Sequence, residues 1–208
     1  MARTADPHDI PTRLLDAGLD LFLRQGYNAT GIQHIADAAR VPKGSFYNHF
    51  PSKEAFAAAI VARYADRMRA SWERMMASAP DTPMATIRHV FAEMIRYHAR
   101  RVAEPSGCLI GNFAAEVAVS SVGCRERLLE AQLAWRERLA GLIAAGQACG
   151  EVRADIDATA LSALTWGAWE GGLLRMKVEG SVAPLQDSVA LLLDRLYPPA
   201  SATGAPAA

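Results

Sequence analysis

Residues 41–55, which read VPKGSFYNHFPSKEA, contain side chains that suit contact with a DNA groove. Phe46 and Phe50 are four residues apart, so on a helix both lie on one face and can pack against the protein. The polar side chains of the segment then lie mostly elsewhere on the helix: Lys43, Ser45, Tyr47, Asn48 and His49. The pattern predicts a short helix that is anchored on one side and polar on the other.

Each polar group in this region has a DNA contact that matches its chemistry. Lys43, at the predicted helix start, suits a phosphate or a guanine edge, and Gly44 leaves room for close approach. The predicted DNA-binding residues are Thr30, Gln33, Lys43, Gly44, Ser45, Tyr47, His49 and Lys53, of which Gln33 and Ser45 are assigned to base edges. The alternative is that Tyr47, His49 and Lys53 only decorate a surface turn.

A second set of residues suits the detection of a small molecule. Cys108 lies in the first turn of a predicted helix, where unpaired backbone N–H groups and the helix dipole favour a thiolate that can attack an electrophile. The alternative is an inert cysteine that packs as a small hydrophobe.

A ligand-binding body also needs a pocket, and the large side chains of the C-terminal half supply candidates for its lining. These candidates are Met94, Tyr97, Phe113, Trp135, Trp166 and Trp169, although such a stripe at helical spacing is more often ordinary core. Arg96, Arg100 and Arg101 surround His98 in sequence and suit an anionic ligand or, more simply, a solvated helix face.

Helices must position all of these residues. The apolar spacing predicts a helix from Pro11 or Thr12 to Gly26, a second capped by Thr30, a turn at Arg40-Val41, and a helix from Ser52, its cap, to Ser78. Further helices are predicted at 84–103, 107–119, 123–149, 156–179 and 183–197. The predicted organisation is a disordered arm (1–10), a helix-turn-helix domain (11–51), a connecting helix (52–78), a ligand-binding and dimerisation domain (84–197) and a disordered tail (198–208).

Composition restricts the classes of function. The 208 residues contain 22 basic and 22 acidic side chains, so DNA affinity must come from a local arrangement of cations. Three cysteines without a CxxC pair, no apolar leader and no long apolar run indicate a soluble, reduced, cytoplasmic protein. Motifs of serine hydrolases, P-loop NTPases, HExxH metalloproteases and dinucleotide-binding enzymes are absent from the sequence, so we expect neither an enzyme nor a cofactor or metal site.

The segment from Thr12 to Ala58 resembles the DNA-binding half of the TetR family of transcriptional repressors. The resemblance lies in Thr30-Gly31-Ile32, Ile35-Ala36 and the final pattern YxHFxSKEA. It implies an all-α fold with an N-terminal three-helix head and a C-terminal helical bundle for ligand binding and dimerisation. Many family members have glycine where this chain has Arg40, because that turn residue often has a left-handed backbone.

The strings GCLIGN followed by AAEVA, and WEGGLLRMK at 169–177, resemble the NemR-like and AcuR-like branch of this family. Members of that branch respond to reactive electrophiles or to small unsaturated acids. The resemblance implies a sensing role for Cys108, and for Lys177 a role in stabilising a thiolate or a carboxylate. The ordinary interpretation of Lys177 is a solvated lysine near a helix C-terminus.

A single reading helix contacts only one major-groove segment, so useful affinity needs two heads about 34 to 36 Å apart on a palindromic operator. The small residues of 156–179 suit close helix packing between two copies, with packing inside one chain as the alternative. We therefore expect a homodimeric repressor that a small-molecule inducer releases from DNA. The rival classes are an enzyme and a helical ligand-binding protein without sequence-specific DNA binding.

Overall fold

The computed structural model describes residues 10–102 and 107–199, and each regular element in these ranges is a helix. The helices are α1 (Ile10–Gln25), α2 (Ile32–Ala38), α3 (Lys43–His49), α4 (Lys53–Ala77), α5 (Pro83–Ala99), α6 (Leu109–Glu116), α7 (Val122–Ala148), α8 (Ala158–Glu179) and α9 (Ala183–Leu191), and a π-helical turn (Leu192–Leu196) continues α9. The predicted all-α fold is confirmed. Within the described ranges, each helix is too short or too polar to serve as a membrane span.

The predicted arm and tail lie mostly outside the described residues. Ile10 is helical, so the first helix begins slightly earlier than the predicted Pro11. Pro198 and Pro199 are the only described residues of the predicted tail.

The chain forms two compact units. The head unit contains the described residues 10–71 and 107–133, and the body unit contains 72–102 and 134–199. The helices α4 and α7 each contribute residues to both units, whereas α1, α2, α3 and α6 belong to the head unit and α5, α8 and α9 to the body unit. α6 therefore groups with the helix-turn-helix segment, although 75 or more residues of sequence separate it from α1.

Local signals explain several helix ends. Thr82 precedes a proline at the start of α5 and accepts a hydrogen bond from the Ala85 N–H, as an N-cap residue does. Asp157 begins α8 in the same way, because its carboxylate accepts from the backbone N–H groups of Thr159 and Ala160. Gly180 ends α8 with a left-handed backbone.

The end of the body unit is held by a buried hydrogen bond. The Thr165 hydroxyl donates to the Leu161 carbonyl at 2.7 Å, so the Tyr197 hydroxyl is the donor in its own 2.7 Å bond to Thr165. Tyr197 follows the π-helical turn, and its N–H bonds to the Leu192 carbonyl five residues earlier rather than four. Burial raises the pKa of Tyr197 to about 12, so the hydroxyl stays protonated at neutral pH.

Candidate DNA-binding surface and ligand-sensing residues

The turn between α2 and α3 sets the position of α3, the helix that is predicted to contact DNA. Arg40 has φ of 55°, the left-handed backbone expected at this turn, and it is the one described non-glycine residue with positive φ. The Arg13 guanidinium of α1 donates to the carbonyl groups of Ala39 and Arg40 on either side of that strained residue. This role of Arg13 could not be predicted from sequence, because its contacts join residues 26 and 27 positions apart.

α3 has the anchored and polar faces that its spacing predicts. Phe46 is fully buried, with its ring centre 5.6 Å from Phe50 and 5.0 Å from Phe56 of α4. Tyr47 is 51% exposed. Lys43, Gly44 and His49 are also exposed, and Ser45 is half-buried. The helix thus presents most of its predicted DNA-binding side chains together on the solvent side of an aromatic anchor.

Two of the predicted contacts are engaged elsewhere. Thr30 is fully buried, and its hydroxyl donates to the Gly26 carbonyl at 2.7 Å and accepts from Gln25. The prediction that Thr30 caps α2 is wrong: Gly31 is the N-cap residue and no side chain caps this helix. Gln33 is exposed but donates to the Asp37 carboxylate at 2.7 Å, a bond it must exchange to reach a base edge.

Lys53 lies against an aromatic and acidic cluster at the start of α4. Its Nζ is 4.1 Å from the centre of the Tyr27 ring, and burial lowers the pKa of Lys53 against the opposing effect of Glu54 and Glu116. The Tyr27 hydroxyl donates to Glu54 at 3.1 Å, and burial together with that carboxylate raises the tyrosine pKa. Ser52 caps α4 as predicted, accepting from the Ala55 N–H.

The C-terminal end of α6 is bonded to the turn that follows α1. The Asn28 N–H donates to Glu116 at 2.8 Å. Gly26 has φ of +82°, a left-handed backbone that favours glycine, and the Glu116 carboxylate lies against it. Phe113 packs against the same segment: its ring centre lies 5.1 Å from that of Phe22 and 5.8 Å from that of Tyr27.

Phe113 is therefore a core residue of the head unit. It is fully buried and its ring neighbours are Phe22 and Tyr27. Its predicted role in lining a pocket stays a prediction. The pattern of aromatics along the sequence could not separate it from the tryptophans, because both sets have helical spacing.

Cys108 is the N-cap residue of α6 and not part of its first turn as predicted. It is 7% exposed, and the Tyr64 hydroxyl donates to its sulfur at 3.8 Å. Cys124 is fully buried with its sulfur 3.5 Å from the Glu54 carbonyl, and burial raises the pKa of that thiol. Cys149 is exposed. An electrophile can reach Cys108 only when the surrounding side chains move.

The predicted tryptophans come together in the body unit, in what we call the aromatic cluster: Phe91, His98, Trp135, Trp166 and Trp169. The ring centres of Trp135 and Trp166 are 5.2 Å apart, and Phe91 joins them to Trp169, with ring centres 6.2 Å from Trp135 and 5.8 Å from Trp169. Tyr97 stands at the edge, half exposed, beside His98 and under the Arg101 guanidinium. All of these side chains come from α5, α7 and α8.

His98 was not among the residues predicted to line a pocket. It is 8% exposed, and its ring centre is 5.7 Å from that of Trp169. Its Nδ1 is buried and has no hydrogen-bond partner among the described residues. Burial, with a smaller contribution from Arg101, lowers the pKa of His98 to about 4, so the ring is neutral at pH 7. Lys177, by contrast, is an exposed residue of the last turn of α8.

Family comparisons agree with this architecture. Residues 14–60 match the family of bacterial regulatory proteins called TetR, and residues 83–192 match the tetracyclin repressor-like C-terminal domain. The chain belongs to the TetR family. It is therefore a DNA-binding transcriptional regulator with a ligand-binding C-terminal region rather than an enzyme, as predicted.

Curated TetR-family relatives match nearly the whole chain. The transcriptional repressor DhaR of Mycobacterium sp. strain GP1 is 33% identical over 95% of this chain and 96% of its own length. The transcriptional regulator AcuR of Cereibacter sphaeroides is 36% identical over 83% of this chain and 78% of its own length. A crystal structure of a regulatory protein TetR from Rhodobacter sphaeroides has a TM-score of 0.83 at 32% identity, covering 91% of this chain and 99% of that one.

Proposed function

We propose that this TetR-family regulator is a homodimeric repressor that binds a palindromic operator through α3. Lys43, Tyr47, His49 and Lys53 serve the phosphates, and Gly44 permits the approach of the helix. Gln33 and Ser45 are the candidates for base edges. The observation that carries the proposal is the exposed polar face of α3 over the fully buried Phe46. Such a regulator acts where the DNA is, in the cytoplasm.

The face of α8 that supports dimerisation is apolar and open. The exposed residues Leu164, Gly167, Gly171, Leu174 and Val178 follow one another at intervals of three and four, so they lie along one side of the helix. A Cβ added at Gly167 or Gly171 would meet nothing within 4 Å, so no described part of the chain covers these glycines. Gly172 differs, because its added Cβ would lie 2.9 Å from Leu185 of α9. Packing inside the chain thus accounts for Gly172 and leaves Gly167 and Gly171 for a partner.

A charge on this face tests the dimer. Leu174→Glu is expected to convert the protein to a folded monomer by placing a carboxylate in the contact between copies. The control is Leu129→Glu, which changes a similarly exposed leucine of α7. Sedimentation velocity measures the outcome, and a Leu174→Glu protein that sediments as the wild type would contradict this choice of interface.

The proposed inducer is a small molecule, and the resemblance of GCLIGN and WEGGLLRMK to the NemR-like and AcuR-like branch implies an electrophile or a small unsaturated acid. Cys108 suits covalent capture, with Lys177 as the proposed partner of a thiolate or a carboxylate. Burial gives a sharp test. Alkylation of the native protein, followed by mass spectrometry, should modify exposed Cys149 first if accessibility alone decides. If Cys108 reacts faster than Cys149 in spite of its burial, it is activated; if it lags behind Cys149, covalent sensing is excluded.

Release requires that the inducer favour a conformation that binds DNA poorly, because a ligand with equal affinity for both conformations shifts nothing. α4 is the proposed link, since it runs unbroken from Lys53, beside the reading helix, to Ala77. The proposed domains are the helix-turn-helix domain at 11–51, the connecting helix at 52–78 and the ligand-binding and dimerisation domain at 84–197. The matches at 14–60 and 83–192 support this division.

A gel shift with DNA from upstream of the protein's own coding sequence tests the proposed function. We expect one shifted band whose position corresponds to a dimer, competed by the same DNA and not by an unrelated fragment, and weakened by the inducer. Lys43→Ala is the matched variant, because its side chain is exposed and distant from the core. Failure of the wild-type protein to select this DNA over an unrelated fragment would contradict autoregulation, and failure across a genomic library would contradict repression altogether.

A further inference from the structure

The turn that joins α2 to α3 has the hydrogen bonds of a helix end that normally contains glycine. The Val41 N–H donates to the Ala36 carbonyl at 2.9 Å, and the Arg40 N–H donates to the Asp37 carbonyl at 3.0 Å. This pair of bonds is the Schellman motif, in which the residue at the place of Arg40 has a left-handed backbone and is usually glycine. Arg40 has φ of 55°. A residue with a side chain is strained in that conformation, so the turn needs support from the structure around it.

The Arg13 guanidinium of α1 supplies that support. The two bonds of the motif satisfy the carbonyl groups of Ala36 and Asp37, but not those of Ala39 and Arg40. Nη2 of Arg13 donates to both of the remaining carbonyl groups, with a distance of 3.0 Å to that of Arg40. Hydrogen bonds from a charged donor are stronger than neutral ones, and a cation is favourable at the C-terminal end of a helix. The clamp therefore acts directly on the strained residue.

The direction of α3 depends on this turn. α3 begins at Lys43, three residues after Arg40, and Pro42 is its N-cap residue. If Arg40 left the left-handed region, the chain would be redirected just before the helix, and the Val41 N–H would lose its bond to the end of α2. Val41 would also leave the core, where it is buried. The polar face of α3 thus keeps one orientation only while the turn holds.

We infer that Arg13 is the residue that positions α3 for operator recognition: it holds Arg40 in the left-handed conformation from which α3 starts, and it makes no DNA contact itself. The inference rests on the proposed function, because operator binding is the activity that the orientation of α3 serves. Glycine at position 40 would adopt this backbone without strain and would need no clamp. The importance of Arg13 must therefore depend on the residue type at position 40.

A double-mutant cycle measures that dependence. Arg40→Ala and Arg40→Gly both remove the side-chain cation, but alanine keeps the backbone strain and glycine removes it. We expect Arg13→Met to weaken specific operator binding about tenfold, both alone and in the Arg40→Ala background, because each head of the proposed dimer then spends part of its time with α3 misplaced. In the Arg40→Gly background the loss should be below about threefold. Equal losses in the two backgrounds overturn the inference.

The salt dependence of binding separates positioning from direct contact. Arg13→Met should leave unchanged the slope of the logarithm of affinity against that of salt concentration. Loss of a phosphate contact in each head would instead make the slope shallower by about two, which would overturn the inference. Arg24→Met is the matched control, because it removes another cation of α1, one that is paired with Asp20 at 3.2 Å. It should leave operator affinity as it is in the wild type.

Hydrogen exchange at the Val41 amide monitors the turn without DNA, because this N–H is bonded to the end of α2. Arg13→Met should accelerate the exchange about tenfold in the Arg40→Ala background and less than about threefold in the Arg40→Gly background. An unchanged exchange rate contradicts the clamp, and faster exchange with unchanged operator affinity contradicts the positioning of α3. If the wild-type protein selects no DNA while the exchange rates follow this pattern, the proposed function fails and the clamp on the turn is supported.

Discussion

The head unit and the body unit differ in how their buried polar groups are paired. In the head unit, the Tyr27 hydroxyl bonds to Glu54 and the Thr30 hydroxyl to the Gly26 carbonyl. In the body unit, the Tyr197 hydroxyl is paired with Thr165, but His98 Nδ1 has no partner among the residues described. Full pairing suits a head that must present one fixed surface to DNA. An unpaired nitrogen suits a body that must respond to an added molecule.

The largest effect on stability is expected when acid protonates His98 of the body unit. Its folded pKa of about 4 lies below the ordinary 6.5, so between these pH values the unfolded chain binds a proton that the folded chain does not. The free energy of unfolding should therefore fall by about 3 kcal/mol between pH 6.5 and 4 because of this residue. Urea unfolding at pH 7 and pH 4.5 should show a smaller loss in His98→Leu than in wild type or His89→Leu. Equal losses in all three proteins would mean that the imidazole is solvated.

Removal of a cation from the exposed face of α3 should affect DNA binding alone. Lys43→Ala is expected to weaken operator binding by about 2 kcal/mol, roughly 30-fold, because each protomer of the proposed dimer would lose a phosphate contact. The dependence of the logarithm of affinity on that of salt concentration should become shallower by about two. Arg127→Ala removes another exposed cation of the head unit and should have no such effect. An unchanged salt dependence in Lys43→Ala would contradict the phosphate contact.

Removal of a hydrogen-bonded side chain from the head unit should destabilise the protein. Removal of the His98 imidazole, whose Nδ1 has no described partner, should not. Glu116→Ala removes the acceptor of the exposed Asn28 N–H and should lower the free energy of unfolding by about 0.5 to 1 kcal/mol. Glu126→Ala, an exposed change on α7, should be neutral. At pH 7, His98→Leu should be neutral or stabilising, since no protein hydrogen bond is lost. Thermal unfolding of the three variants compares them, and the same sign for Glu116→Ala and His98→Leu would refute the contrast.

The smallest effect is expected where the body unit does pair its polar groups. Tyr197→Phe removes one hydrogen bond, and the Thr165 hydroxyl keeps its own bond to the Leu161 carbonyl. The expected cost is about 1 kcal/mol, measured as a shift of the urea midpoint. Tyr97→Phe changes a half-exposed hydroxyl and should cost less. If Tyr97→Phe costs more, the buried pair is not what holds the end of the chain.

Sequence predicted those features whose causes are local. The burial of Phe46 beneath an exposed Tyr47 follows from helical spacing, the cap at Ser52 from residue type, and the left-handed Arg40 from the position of a turn that the family resemblance supplied. In each case the deciding residues lie within a few positions of one another. The fold class was predictable for the same reason, because helical periodicity recurs along most of the chain.

Contacts between distant segments could not be predicted from the sequence. Thr30 has the residue type of a cap, but the Gly26 carbonyl and Gln25 hold its hydroxyl in the core. Phe113 and Trp135 have the same helical spacing signal and lie in different units. The bonds from Arg13 to the turn and from Glu116 to Asn28 join residues 26 to 88 positions apart, and no motif marks either partner.

The π-helical turn at Leu192–Leu196 amounts to a single extra residue placed in the last helix. Each residue of a regular helix advances the chain by about 100° of rotation, and the wider turn absorbs one such step, so the same residues wound as a regular helix would rotate everything beyond them around the helix axis by about that angle. The ring of Tyr197 would then leave Thr165 and emerge on another side. A change of helical register by one residue, without any change of composition, is thus enough to detach the C-terminal end of the chain from Thr165.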